Sequence, residues 1–172
     1  MSPVASSARA EGVGVVVPAV FTLLLTLLAV VPIRIPGYAA VAPAFVLMGV
    51  FHWTVYRPEL LPPTIIFATG VFLDLLTGAH YPGASPLVLL IGRAVVLRNR
   101  RFFEGQPFPF VWMGFALVAA GTLAALWALG SLLDGAVLDP RLAAFRWVLT
   151  VAAFPTASYL MVRAHRLFLQ AG

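Results

Sequence analysis

Residues 110–133 read FVWMGFALVAAGTLAALWALGSLL, and this stretch decides which solvent the chain is built for. Its 24 residues contain no charge. A bilayer core about 30 Å thick requires about 20 helical residues, so the segment is long enough to cross one. Outward from it, further apolar runs occur at 13–33, 39–56, 63–77, 86–97 and 143–162, separated by breaks rich in Pro, Gly and Arg. The expected architecture is an all-α integral membrane protein, a six-helix transmembrane bundle in a single domain. Residues 1–12 carry three serines and no apolar periodicity, and read as a disordered tail. The first run is too long for the apolar part of a signal peptide and reads as a retained span. The runs at 63–77 and 86–97 are short, which suits a tilted or re-entrant hairpin sheltered by neighbours. Prolines at 63, 86 and 155 fit a first helical turn or a kink whose freed carbonyl a neighbouring helix satisfies.

Composition agrees. The chain is 62% hydrophobic and 10% charged, with a mean hydropathy of +1.00. Soluble domains run at about 45–50% apolar and about 25% charged. All 11 basic residues are arginines against six acids, but they are scattered between apolar runs and offer no continuous face for a nucleic acid backbone. Anionic lipid is the better partner for them. Their distribution also orients the chain, because basic short loops stay cytoplasmic. With six spans, Arg9, Arg57, Arg98, Arg100, Arg101, Arg163 and Arg166 share one side, against Arg34, Arg141 and Arg146 on the other. Both termini are expected in the cytoplasm. The absence of cysteine excludes disulfides and thiolate metal sites.

Polar residues at membrane depth are the candidate site, since an ionised group there is kept only with a partner or a wet cavity. Asp74 lies in GVFLDLLTG (70–78), where Gly70, Asp74 and Gly78 fall on one helix stripe and the glycines let another backbone approach and cover the carboxylate. Arg93, on the next helix of the hairpin, is a candidate counter-ion. Two other readings stay open: Asp74 faces interfacial water while Arg93 snorkels toward Arg98, or the pair handles a ligand or proton. His52 reads as an interfacial or helix-bonded histidine, and His80 and His165 have no second ligand at metal-binding spacing. No nucleophile and base, metalloprotease, P-loop or dinucleotide fingerprint is present, so neither catalysis nor a cofactor is expected. Ala116, Ala120, Ala124 and Ala128 form a small-residue seam, with Gly121 and Ala125 alongside, suited to close helix packing within the bundle or with a partner. The tryptophans read as depth anchors, although Trp127 sits too deep for the near interface. The loop 97–110, LRNRRFFEGQPFPF, combines three arginines with four phenylalanines and reads as an interfacial segment on anionic lipid or a cytoplasmic protein dock.

Taken in order, Pro43, YRPELLPP at 56–63, the Gly-x-x-x-Asp-Leu-Leu-x-Gly signature at 70–78, Pro82-Gly83 and the arginine-rich turn before the fifth span resemble the bacterial rod shape-determining MreD family over nearly the whole chain. Ala84-Ser85-Pro86 departs from that pattern, where a more continuous helical start is expected. The resemblance implies a non-catalytic inner-membrane scaffold of the cell-elongation, peptidoglycan-synthesising machinery. It would bind the single-span protein MreC and, through it, the glycosyltransferase RodA, its penicillin-binding transpeptidase and the MreB cytoskeleton. The implied fold is similar to the substrate-binding subunits of energy-coupling-factor transporters, which makes a vitamin-type small-molecule-binding subunit the runner-up. A channel or proton-coupled carrier using Asp74 and Arg93 is a third reading.

Overall fold

The computed structural model describes Thr22, Leu24 and Leu27, which are helical, and residues 44–79, 81–103 and 105–169, with side chains as far as Arg163. The expected tail at 1–12 and nearly all of the first run lie outside the described residues. Those described fold as α1 (Phe45–Tyr56), a 3-10 turn (Pro58–Leu60), α2 (Pro63–Thr77), α3 (Ala84–Arg98), a one-turn α4 (Arg100–Phe103), α5 (Phe108–Asp134) and α6 (Pro140–Leu169). No strand occurs among them. The second run is described only from Ala44 onward. The third run keeps its expected ends, and the fourth begins two residues earlier, at Ala84, so that Pro86 falls in its first turn, where a missing N–H costs nothing.

The helices α2, α3, α5 and α6 form a row of antiparallel neighbours, and α1 packs across it against α3 and α6, with a lighter contact to α5. Every residue from Val46 to Val55 of α1 is buried, as befits a helix apolar on all sides. Phe51 is its centre, meeting Phe103, Phe115 and Phe154 edge to face at 5.8, 5.2 and 5.7 Å, while Phe115 and Phe154 stack at 4.0 Å. These rings join α1, α4, α5 and α6 in one aromatic core.

Two helices are long and apolar enough to cross a membrane: α5, and α6 between Pro140 and Arg163. Only 17% and 28% of their most apolar windows are buried within the protein, so neither resembles the core helix of a soluble domain. At 1.5 Å per residue α5 is about 40 Å long, whereas α2 and α3 are about 22 Å each. Three hydroxyls inside the helices are satisfied locally: Thr69, Thr122 and Thr150 donate to the carbonyls of Ile65, Val118 and Arg146 at 2.7, 2.7 and 2.6 Å, whereas the buried Thr54 Oγ1 of α1 has no partner among the described residues. Pro155 interrupts α6, and a proline there withdraws the N–H that the carbonyl of Val151 would otherwise accept. The Trp112 indole N–H of α5 donates to that carbonyl at 2.9 Å. The lost backbone bond is thus replaced from the neighbouring helix, as the sequence requires.

Candidate functional site

The signature at 70–78 builds a hairpin. A Cβ placed on Gly70 would lie 2.5 Å from the Cα of Pro86, so only glycine allows α2 and α3 this approach. Asp74, one turn on, is 3% exposed, and its Oδ2 accepts the backbone N–H of Gly83 at 2.7 Å. The acid therefore ties the end of α2 to the residue that starts α3. Gly78 has a different use from the one its spacing suggests. It is the left-handed C-cap of α2, at φ 61°, and an added Cβ there would meet nothing within 4 Å. Of the two glycines, Gly70 admits the neighbouring backbone and Gly78 ends the helix.

Arg93 is not the counter-ion of Asp74. It donates from a terminal guanidinium nitrogen to the carbonyl of Pro58 at 3.4 Å, at the opposite end of the hairpin, and its Nε is shut from solvent without a hydrogen-bond partner. Asp74 lies about 6 Å from the Gly78 turn and Arg93 about 14 Å from Ala84, and the long stem extends the difference away from the acid. Asp74 does not face interfacial water either; it is buried, with Oδ1 unpartnered.

The two ends of the row differ in charge. At one, Arg100 Nε donates to the carbonyl of Val55 at 3.1 Å, close to the Arg93–Pro58 contact, so two cations sit at the C-terminal end of α1, where the helix dipole favours them. Arg57 pairs with Glu59 at 3.6 Å, Arg98 and Arg101 are exposed, and Phe103 is buried against Gly114 of α5, so α4 is clamped onto the bundle. At the other end lie the turns 78–83 and 135–139. The Tyr81 hydroxyl donates to Asp134 Oδ1 at 2.5 Å, which holds the phenol above its usual pKa range. Sequence reasoning missed this bridge.

Along α5 the seam divides. Ala116 and Ala120 are half-buried, and the carbonyl of Ala116 accepts the Trp147 indole N–H at 2.9 Å, whereas Gly121, Ala124, Ala125 and Ala128 are exposed. Trp112, Trp127 and Trp147 are cross-braces rather than simple depth anchors. Trp127, deep in the run, donates to the carbonyl of Leu138 at 3.0 Å. Buried His52 lies with Nδ1 3.5 Å from Ser158 Oγ and its ring 4.8 Å from that of Tyr56, a packed histidine linking α1 to α6. Among the described residues no three His, Asp or Glu side chains gather in a way that could hold a metal ion. Comparison with protein families, with characterised proteins and with solved structures gives no match for this chain.

Proposed function

We propose that the chain is a multi-pass, non-catalytic scaffold of the bacterial inner membrane, a six-helix transmembrane bundle that serves the cell-elongation machinery by binding MreC. In this reading the arginine end and both termini face the cytoplasm, and RodA, the transpeptidase and MreB are reached through MreC. The observation that carries it is the division of labour among the motifs. Asp74 and Gly70 are committed to closing a hairpin, while the far half of the small-residue seam, from Gly121 to Ala128, stays uncovered on a helix long enough to span a bilayer. A seam of that kind suits the single span of a partner.

The test is co-purification of MreC with the full chain after mild solubilisation. Ala124→Leu fills the exposed seam without touching the core, and it is expected to lower MreC recovery severalfold while the chain stays folded. Recovery unchanged by Ala124→Leu, or no MreC retained by the wild type, overturns the reading. Orientation is tested separately, since the chain has no cysteine. Single cysteines at Gln106 and Val137 are expected to label from the cytoplasmic and the outer side respectively, and labelling of both from one side overturns the topology.

A further inference from the structure

The outer face of α3, turned away from α1, carries an exposed apolar stripe that ends in arginines. Leu87, Ile91 and Val95 are 53%, 52% and 46% exposed, and Arg98 continues their spacing by three residues, so all four share one helix face. Arg101 is exposed on the turn that follows. Along one face, hydrocarbon is therefore presented first and positive charge after it, with no ion pair to Arg98 or Arg101 among the described residues. That order matches a phospholipid, with its acyl chain below and its phosphate above. Soluble protein partners match it less well, because the apolar part lies on a helix whose neighbours leave it open along more than two turns.

The geometry points to a docking site for an anionic phospholipid on α3, with an acyl chain along Leu87, Ile91 and Val95 and the headgroup phosphate on Arg98 and Arg101. This rests on the membrane reading above and deepens it by fixing where the lipid sits and which residues hold it. The charge complementarity commits the site to an anionic headgroup: a zwitterionic lipid offers the same chain but returns its own cation to the arginines.

The experiment uses the full chain, purified in mild detergent, stripped of lipid and titrated with phosphatidylglycerol or phosphatidylcholine of matched chains, with bound lipid counted by native mass spectrometry. Phosphatidylglycerol is expected to be retained in preference. Arg98→Gln and Arg101→Gln are each expected to weaken its binding about fivefold, the factor that corresponds to one arginine at an anionic surface. Both side chains are exposed, so folding is spared. Arg141→Gln, at the opposite end, is expected to change nothing. Equal retention of the two lipids, or undiminished phosphatidylglycerol binding by the Arg98→Gln, Arg101→Gln double variant, overturns the site. Such a result from a chain whose turns still label on opposite sides of the membrane leaves the membrane reading intact. A chain that stays in solution without detergent removes both.

Discussion

The α2–α3 and α5–α6 hairpins turn at the same end of the molecule, and in each the first helix stops at a left-handed glycine, Gly78 at φ 61° and Gly135 at φ 64°. They are held shut by different groups. In the short hairpin the backbones meet at Gly70 and Pro86, and one buried carboxylate stitches the turn. In the long hairpin directed bonds do the holding: Trp112 reaches Val151 and Trp147 reaches Ala116 across the two helices, and Trp127 reaches Leu138 in the turn between them, a ladder of indole N–H donors. Ser131 Oγ closes the foot by accepting the N–H of Leu138 at 3.2 Å. Small residues let helices approach until dispersion suffices, and tryptophans supply directed bonds from one helix to the next.

The harshest way to break the short hairpin is Gly70→Ala. An alanine inside a helix ordinarily gains up to about 1 kcal/mol over glycine. Here the methyl meets the backbone of Pro86, which cannot swing aside as a side chain would, and a net loss of about 3 kcal/mol is expected from overpacking. Thermal unfolding in detergent reads it, with Gly121→Ala, whose Cβ meets nothing within 4 Å, as the matched control that is expected to stabilise. Equal effects of the two substitutions would mean that α2 and α3 do not touch through Gly70. Next in size, Asp74→Ala removes a charge-assisted bond to the Gly83 N–H and is expected to cost about 2 kcal/mol, whereas Asp74→Asn keeps an acceptor and most of the stability. If the asparagine variant is as weak as the alanine one, the carboxylate acts through its charge and not as a stitch.

The long hairpin offers a finer cut, because its indoles do unequal duty. The carbonyl of Ala116 lies inside an unbroken stretch of helix and already has a backbone donor, so Trp147→Phe removes a supplementary bond, worth about 0.6 kcal/mol between membrane helices. The carbonyl of Val151 has lost its backbone donor to Pro155, and Trp112→Phe strands it, at an expected cost of about 1.5 kcal/mol. Trp147 packs against the core whereas Trp112 is exposed, so the proline's orphan is isolated by measuring the Trp112→Phe loss with and without Pro155. Adding Pro155→Ala to Trp112→Phe is expected to recover the excess loss.

Much of the short hairpin was legible in the residues themselves. A glycine and an acid one turn apart mark a covered carboxylate, and α2 occupies the expected 63–77. The donor of the cover was not legible, since opposite charges on one hairpin suggest a pair, and the partner is instead a backbone N–H that every residue but proline carries. The same anonymity hid the tryptophan ladder. A proline at 155 announces that some carbonyl needs a donor, but nothing in sequence says that Trp112 lies opposite, because the register of two helices is set by packing at Phe115, Phe154 and Ala119 together. The seam from Ala116 to Ala128 was visible as a spacing. Its division into a half that packs and a half that stays bare depends on where α6 crosses, which is a property of the assembled bundle.

The mildest break is the bridge between the two hairpins. Tyr81 donates to Asp134 across exposed ground, so Tyr81→Phe is expected to leave the fold and the melting temperature near neutral pH almost unchanged. Its signature lies in alkali. The bond requires the protonated phenol, and the neighbouring carboxylate raises its folded pKa above the unfolded value. The contribution is therefore fully present below the usual tyrosine range and is lost as pH rises through the raised folded pKa. Stability measured from pH 8 upward should fall less steeply in Tyr81→Phe than in the wild type, and Asp134→Asn should flatten it in the same way by removing the charge that raises the phenol. Parallel curves for all three proteins would mean that the hairpins turn independently, with no link at their tips.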